Sequence, residues 1–355
     1  MKVFAFYLPQ FHEIPENNLW WGNGFTEWTN VQGAKPLFDG HNQPKVPLDK
    51  NYYCLLDKQT VNWQTALMHQ YGIDGLIYYH YYFKGDMLLQ KPAENLLHNP
   101  DINQKFFFCW ANHSWKRTWL GNQEVLKEQL YGDEYDWQKH FDYLLPFFKD
   151  PRYEKKDGKP LFMTFMYFPE KQKYVRFLNE KCKEAGFKGI YMIETFHGPG
   201  FAKYLMLKRR MTNETQKLFL RQPTVCMNDM ERTNKRKIKF GQKKESYIEY
   251  NNGIKIINGT SLYKRMLAQK YPASEIINGL FFEWDNTPRH SERGYIITPP
   301  DRAVFEQYMD SISNQEYVFV NAWNEWAEGM VLEPTERDGY KYLEWIRDWR
   351  LSRNI

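Results

Sequence analysis

The chain has 355 residues, a length that suits one large α/β barrel or two ordinary domains. It contains no apolar run of about 18 residues, so we expect no membrane-spanning segment. Its four cysteines are widely spaced and form no Cys-x-x-Cys pair, which excludes a disulfide scaffold. The net charge of +5 is small for this length. Because the opening MKVFAFYLPQF is predicted to be a strand and not a cleaved signal, we expect a cytoplasmic protein.

Short apolar segments alternate with amphipathic ones along the chain, and we predict that the apolar segments are strands. In chain order they span 3–9, 73–82, 105–112, 160–167, 189–195, 279–285 and 317–323. Helical patterns occupy 60–71, 134–149, 170–185 and 300–313, and an eighth strand is expected between 219 and 258. The alternation predicts a parallel (β/α)8 barrel. A doubly wound sheet is disfavoured because no Gly-rich phosphate-binding motif follows a strand.

Two long segments, 10–59 and 208–258, interrupt this pattern. Since long insertions after barrel strands usually build the rim of the active site, we predict a single domain over 1–355. Residues 208–244 are strongly basic. We interpret them as a solvated surface, and the alternative is a site for an anionic glycan or a sugar diphosphate. Nucleic acid is not an expected partner, because no recognition fold or aromatic signature accompanies the charge.

Polar and aromatic residues gather where the predicted strands end, which is where a barrel places its catalytic mouth. Aromatic residues make up 18% of the chain, and rings with a polar tip suit a sugar, which is apolar on its C–H faces and polar at its hydroxyls. The candidates at the strand ends are Tyr7, Gln10, Tyr79, His80, Trp110, Asn112, Tyr167, Glu194, Trp284, Asp285, Asn321 and Asn324.

Two glutamates, Glu325 and Glu328, follow the last predicted strand three residues apart. Residues at this spacing share one side of a helix or turn, so both carboxylates can face the mouth. Two acids around one sugar can serve as proton donor and as base or nucleophile. The alternative is that both cap or solvate the start of the last helix.

Other catalytic machinery is not indicated. There is no His-Glu-x-x-His and no zinc-ligand spacing among the nine histidines, so we expect no metal and no cofactor. A serine hydrolase is disfavoured because Gly-x-Ser-x-Gly does not occur. The chain also has no Asp-x-Asp, the metal–diphosphate signature of many sugar-nucleotide transferases.

Five motifs carry a family resemblance: FYLPQFHEIPENNLWWGNGFTEWTNV (6–31), IDGLIYYHYYF (73–83), FCWANHSWKRTW (108–119), FFEWDNTPRH (281–290) and FVNAWNEWAEGMVLEP (319–334). Together they resemble the WbsX-type bacterial polysaccharide-biosynthesis proteins, which are labelled glycosyltransferases and are related to glycoside hydrolase family 99. The resemblance covers nearly the whole chain. It implies a (β/α)8 barrel that acts on α-linked glycans of a bacterial surface polysaccharide by hydrolase-like chemistry. A glycosyltransferase of lipopolysaccharide or capsule synthesis is the first alternative, and a non-catalytic glycan-binding barrel is the second.

The resemblance also implies residue roles. Glu325 would act as base on the sugar 2-hydroxyl to give a 1,2-anhydro intermediate, while Glu328 would protonate the departing oxygen and then activate water. His113 stands where the family usually has an acid, so it is either a pH-sensitive contact or a spectator that faces the core, and we favour the second. Further substrate contacts are expected at Tyr7, Glu27, Trp28, Trp284, Asn286, Arg289, Trp323, Asn324 and Glu333.

Overall fold

Eight segments rich in aromatic and branched residues form the parallel strands of a closed barrel. The computed structural model describes residues 1–117, 124–196, 211–221, 223–240, 247–269, 271–272 and 274–354. The barrel strands are β1 (Lys2–Tyr7), β2 (Gly75–Phe83), β3 (Phe106–Trp110), β4 (Lys159–Thr164), β5 (Tyr191–Phe196), β6 (Thr215–Leu220), β7 (Ile276–Phe281) and β8 (Tyr317–Asn321). Each strand pairs with the next along the chain, and β1 pairs with both β2 and β8. The predicted (β/α)8 barrel is confirmed.

Helices and short strands fill the connections between the barrel strands. The helices are α1 (Pro15–Trp21), α2 (Glu27–Gly33), α3 (Lys58–Tyr71), α4 (Lys91–His98), α5 (Glu134–Lys149), α6 (Lys171–Glu184), α7 (Thr224–Lys239), α8 (Gly259–Ala268), α9 (Thr287–His290), α10 (Arg302–Ser311) and α11 (Lys341–Ser352). Short 3₁₀ turns occupy Leu48–Lys50, Ser291–Arg293 and Trp326–Glu328. The short strands are Asp86–Leu88, Trp115–Lys116, Val125–Lys127, Lys155–Lys156, Ile248–Asn251, Ile254–Ile257, Trp284–Asp285, Tyr295–Ile297, Asn324–Glu325 and Met330–Val331.

Local sequence signals explain the helix ends. Asp57 accepts a hydrogen bond from the backbone N–H of Gln59 at the start of α3, and Gly72 ends that helix in the left-handed conformation. Asp133 caps α5 in the same way, through the backbone N–H groups of the first turn. The four predicted helices correspond to α3, α5, α6 and α10 within two residues at each end.

Phenylalanine side chains fill the barrel interior. The rings of Phe6 and Phe219 lie 5.3 Å apart, Phe219 and Phe319 lie 5.3 Å apart, and Phe107 lies 5.6 Å from Phe319. These four side chains are buried. The interior is therefore a packed core, and the loops at the ends of the strands are left to form a ligand site.

The eighth strand lies earlier than the sequence predicted. It is β6, Thr215–Leu220, and only its last two residues fall inside the expected window of 219–258. Its first three residues are polar and half-buried, so its apolar signal is short. The strand and α7 occupy part of the predicted insertion 208–258. Of the basic segment 208–244, residues 208–210, 222 and 241–244 lie outside the described residues.

None of the helices in the described ranges combines the length and the apolar character needed to cross a bilayer.

Candidate active site

A cavity of about 670 Å³ opens at the carboxyl ends of the barrel strands. Its lining comes from loops after most of the strands, as expected for the catalytic mouth of this fold. The lining residues are Leu8, Gln10, Trp21, Tyr79, Tyr81, Ala111, Asn112, His113, Ser114, Trp115, Lys116, Leu126, Gln129, Tyr131, Phe165, Met166, Tyr167, Arg221, Arg289, Glu325 and Glu328.

Glu325 and Glu328 reach this cavity from one tight turn. After β8 the chain forms the strand Asn324–Glu325, which pairs with Met330–Val331 across the 3₁₀ turn. Gly329 closes the turn at φ 68°, where a Cβ atom would lie 2.7 Å from the backbone nitrogen of Asp285. Only glycine fits there. The turn therefore brings both carboxylates to one cavity, as their spacing predicted.

Arg289 joins the two glutamates to a third, Glu27. Its Nη2 lies 2.5 Å from Oε1 of Glu27 and 3.6 Å from Oε2 of Glu325, and its Nη1 donates to Glu328. Glu27, the first residue of α2, is completely buried. One guanidinium thus faces three carboxyl groups, and it holds the catalytic candidates in a fixed arrangement.

The environment of these carboxyl groups changes their proton affinity. Burial, together with the charge of Glu328, raises the pKa of Glu325 to about 8, although Arg289 opposes the change. Burial also raises the pKa of Glu27, again opposed by Arg289. Oε2 of Glu325 and Oε2 of Glu27 have no hydrogen-bond partner in the described part of the chain. Burial without a hydrogen-bond donor therefore favours the protonated form of Glu325.

Cationic and imidazole side chains line another part of the cavity. The guanidinium of Arg221, just after β6, lies 4.9 Å from the centroid of the Phe165 ring, and the His113 ring lies 5.4 Å from the same ring. Removal from water and the charge of Arg221 lower the pKa of His113. Part of the His113 surface remains exposed and lines the cavity, so the favoured prediction that it faces the core is wrong. Lys116 lines the same cavity and is exposed.

Aromatic rings supply much of the remaining surface. Tyr81 and Trp115 meet edge to face with ring centroids 5.1 Å apart, and Tyr79 and Tyr131 lie on the same cavity. Rings that are apolar on their faces and polar at one edge suit the two-sided surface of a sugar. Within the described residues, no group of His, Cys, Asp and Glu side chains is arranged to hold a metal ion.

The sequence matches a known family over almost its whole length. The family model described as Glycosyltransferase WbsX matches residues 3–346. The chain belongs to the WbsX family. A curated relative is the uncharacterized protein WxcX of Xanthomonas campestris pv. campestris, which is 30% identical over 364 residues, covering 97% of this chain and 49% of WxcX. The WbsX-family chain therefore spans about half the length of the curated relatives that it matches.

Two solved structures share the fold. The GH99 endo-alpha-mannosidase from Bacteroides thetaiotaomicron superposes with a TM-score of 0.58 at 12% identity, covering 99% of this chain and 98% of that chain. A structure described as a glycoside hydrolase-like protein superposes with a TM-score of 0.62 at 12% identity, covering 98% and 93%. At this identity the likeness shows that the WbsX-family chain and these proteins have the same fold.

Several predicted site residues line the cavity of the WbsX-family barrel: Gln10, Tyr79, Asn112, His113, Tyr167, Arg289, Glu325 and Glu328. Among these residues, Asn112 differs because its side chain is hydrogen-bonded to the protein backbone. Its Oδ1 accepts from the backbone N–H groups of Phe165 and Met166, and its Nδ2 donates to the Met166 carbonyl. Asn112 therefore shapes the loop after β4 that carries Phe165.

The other predicted contacts are not among the residues that line the cavity, and all except Asn286 are buried: Tyr7, Glu27, Trp28, His80, Trp110, Glu194, Trp284, Asn286, Trp323, Asn324 and Glu333. Glu333 is the clearest correction. Its carboxylate accepts four hydrogen bonds, from the hydroxyl of Tyr53, the amide of Gln64 and the indoles of Trp323 and Trp326. Burial raises its pKa to about 7 although these donors oppose the change. We reassign Glu333 to the core, because its oxygens are fully used there.

Asn324 and Tyr7 are also reassigned, to the junction between β8 and β1. The side chain of Asn324 accepts from the backbone N–H of Leu8 and donates to the Leu8 carbonyl, at 2.7 and 3.0 Å. The hydroxyl of Tyr7 donates to Gln64. These bonds fix the strand end from which the Glu325 turn begins.

His80, Trp110 and Glu194 are likewise directed away from the cavity. Nε2 of His80 lies 2.8 Å from Nε2 of His140 on α5, and burial lowers the pKa of His80 to about 3. The Trp110 indole donates to the Tyr82 carbonyl. Glu194 accepts from Lys171 and Thr215 at 2.5 and 2.7 Å. These three side chains hold the barrel wall together.

Trp28, Trp284 and Asn286 belong to the segments that hold Glu27 and Arg289. The Trp28 indole donates to the Tyr53 carbonyl, and Asn286 accepts from the backbone N–H of Tyr295. The Trp284 ring lies 5.3 Å from that of Tyr295. Each of them acts on the cavity through a neighbour.

The sequence reasoning missed some lining residues of the WbsX-family site. Tyr81 lies two residues after Tyr79, so the period of a strand could have identified it. Trp115 and Lys116 lie in the motif FCWANHSWKRTW (108–119), in which the sequence indicated Trp110, Asn112 and His113 instead. Arg221 could not be assigned to a strand end because β6 itself was placed too late.

Proposed function

We propose that this chain is a carbohydrate-active enzyme that acts on α-linked glycans of a bacterial surface polysaccharide, with Glu325 and Glu328 as the catalytic pair. One observation carries the proposal: two carboxyl groups in unequal environments reach one aromatic-lined cavity from a single turn. Two carboxyl groups that meet one sugar can act as proton donor and as base. The family and the fold support the same class of enzyme.

Glu325 is the base in this proposal. In its ionised form it removes the proton of the sugar 2-hydroxyl, whose oxygen then attacks the anomeric carbon. The raised pKa of Glu325 supports this role, because a carboxylate of higher pKa is the stronger base. Arg289, 3.6 Å away, limits the rise and keeps the ionised form accessible.

Glu328 is the acid. It gives its proton to the departing glycosidic oxygen as the bond from that oxygen to the anomeric carbon breaks, which leaves a 1,2-anhydro sugar. It then takes a proton from the water that opens this ring, while Glu325 returns its proton to the 2-oxygen. Its side chain is 22% exposed, more than that of Glu325, which suits a group that meets the leaving group and water in turn.

Glycosyl transfer is the second candidate, and two observations favour it. The family is described as a glycosyltransferase family, and Arg221 and Lys116 line the same cavity as the glutamates. Cationic side chains there can hold the diphosphate of an activated donor sugar. In that case the acceptor hydroxyl takes the place of water.

A product assay tests both candidates. Purified protein is incubated with α-linked oligosaccharides and with bacterial surface glycan, and in parallel with nucleotide sugars plus acceptor. We expect sugar release that falls by roughly 100-fold or more in Glu325→Gln and in Glu328→Gln. Glu336→Gln is the matched control, because Glu336 is an exposed glutamate of the same segment.

Full activity in both active-site variants would show that the catalytic pair is wrong. Transfer from an activated donor without hydrolysis would establish the second candidate.

A further inference from the structure

Arg221, His113 and Lys116 give the cavity a group of cationic and N–H donor side chains separate from the carboxyl groups. Arg221 and His113 both rest on the ring of Phe165, at 4.9 and 5.4 Å. The three side chains come from the loops after β3 and β6, whereas Glu325, Glu328 and Arg289 come from the loops after β7 and β8. The cavity therefore combines cationic and N–H donor side chains from one set of loops with carboxyl groups from another.

Cationic side chains that this fold buries elsewhere are paired with carboxylates. Lys45 pairs with Glu283, Lys171 with Glu194 at 2.5 Å, and Arg152 with Asp150 at 2.6 Å. Such pairing is expected, because an unpaired charge is costly to remove from water.

Arg221 departs from this pattern. No carboxylate in the described ranges lies within 4.0 Å of its guanidinium, and its contact there is the Phe165 ring. The charges of Glu325 and Glu328 act on it through space, but those carboxylates are held by Arg289. Arg221 lines the cavity, and its side chain is partly exposed there.

We propose that Arg221, with His113 and Lys116, binds an acidic group of the glycan, either a carboxylate or a phosphate. A guanidinium presents a planar fork of donors that matches both anions in two-point contact. His113 adds a ring N–H beside it, and Lys116 adds a mobile charge. The inference rests on the proposed function, since it needs a sugar in this cavity, and it makes the substrate an acidic glycan. It also assigns the anion site to one residue of the basic segment 208–244.

Binding of matched probes to the Glu328→Gln variant tests the inference without turnover. The carboxylate probe is α-1,4-linked tetragalacturonate, and its fully methyl-esterified form is the uncharged partner. The phosphate probe is α-linked mannobiose 6-phosphate, compared with mannobiose. Affinities are measured at pH 7 by calorimetry and by the intrinsic tryptophan fluorescence of the protein, to which Trp21 and Trp115 in the cavity lining contribute.

We expect at least one acidic probe to bind tenfold or more tightly than its uncharged partner, with a preference that shrinks as salt is added. Adding Arg221→Gln should remove the preference and leave the uncharged probe unchanged. Arg176→Gln, an exposed arginine on α6, removes the same charge elsewhere and should keep the preference. The pair of probes that shows this preference identifies the anion as a carboxylate or a phosphate.

Three results would overturn the inference. They are equal affinity for the acidic and the uncharged probe in both pairs, no binding of either acidic probe, and a preference for the acidic probe that remains in Arg221→Gln. The inference would also be overturned by a loss of turnover in Arg221→Gln that is equal for acidic and neutral substrates, because Arg221 would then act only on the ionisation of the glutamates. Failure of the proposed function is a separate result, since it is read from turnover in Glu325→Gln and Glu328→Gln and not from binding.

Discussion

The ionisation of Glu325 should control how the reaction rate depends on pH. The reaction needs one proton on the pair of glutamates, because Glu328 must donate a proton to the leaving group. The pair holds this proton up to the pKa of Glu325, about 8, so kcat/KM should fall as pH rises through about 8. About nine tenths of the molecules then hold the proton at pH 7 and about a tenth at pH 9. We therefore expect kcat/KM to decrease roughly ninefold between these two pH values.

Replacing Glu27 by glutamine should move this fall to lower pH. The charge of Glu27 raises the pKa of Glu325, and Glu27 also occupies the guanidinium of Arg289. Unit charges 3.6 Å apart, the distance from Arg289 to Glu325, interact by about 4–5 kcal/mol at an effective dielectric constant of about 20. A change of less than a third of this energy shifts proton affinity about tenfold. We expect the midpoint to fall by about one pH unit.

Initial rates at low substrate concentration, from pH 6 to 10, give kcat/KM for wild type, Glu27→Gln and the control Glu336→Gln. Melting curves at each pH verify that the proteins stay folded. A profile that rises near pH 8 would refute the reasoning, because the reactive enzyme would then lack the proton that Glu328 donates. A flat profile would show that the ionisation of this pair does not affect the rate. An unmoved midpoint in Glu27→Gln would refute the electrostatic link through Arg289.

Two glutamate-to-glutamine changes should have opposite effects on the free energy of unfolding. The folded-state pKa of Glu325 lies above its ordinary value of 4.5, so the folded protein retains a proton and loses stability as pH rises toward 8. Relative to wild type, the free energy of unfolding of Glu325→Gln should therefore increase by on the order of 3 kcal/mol between pH 5 and pH 9, as measured by urea unfolding. The same pH dependence of stability in both proteins would contradict this. The Glu333→Gln change should lower the free energy of unfolding by about 2–4 kcal/mol. The new NH₂ group cannot accept a hydrogen bond, and it faces two of the four donors that the carboxylate satisfies. An unchanged urea midpoint, with Glu336→Gln as control, would show that the donors find other acceptors.

The barrel could be predicted from sequence because seven strands have long apolar segments. The eighth strand is the exception. Thr215–Leu220 begins with three half-buried polar residues, so the apolar run is only Leu218 to Leu220. Its neighbours β5 and β7 stabilise it as a strand by backbone pairing, which a single sequence does not display. Because this strand was predicted too late in the chain, Arg221 at its end was not predicted as a site residue.

The candidate site was predictable where it depends on local geometry. Glu325 and Glu328 share a cavity because a turn of three residues joins them, and that relation is visible in their spacing. The fate of Glu333 is not visible in the same way. Two of its donors, Tyr53 and Gln64, come from more than 260 residues earlier in the chain. Only the folded barrel brings them to the carboxylate.

Three glutamates within nine residues thus differ because of what surrounds each carboxyl group. Glu333 has four donors and is held in the core. Glu328 has one cation and partial exposure, and Glu325 is buried with an oxygen that no described donor reaches. Donors that satisfy a carboxylate fix it in the structure and oppose the rise in pKa that burial causes, whereas burial with fewer donors leaves the carboxyl with a higher affinity for a proton. The same residue type is therefore structural in one place and suited to catalysis a few residues away.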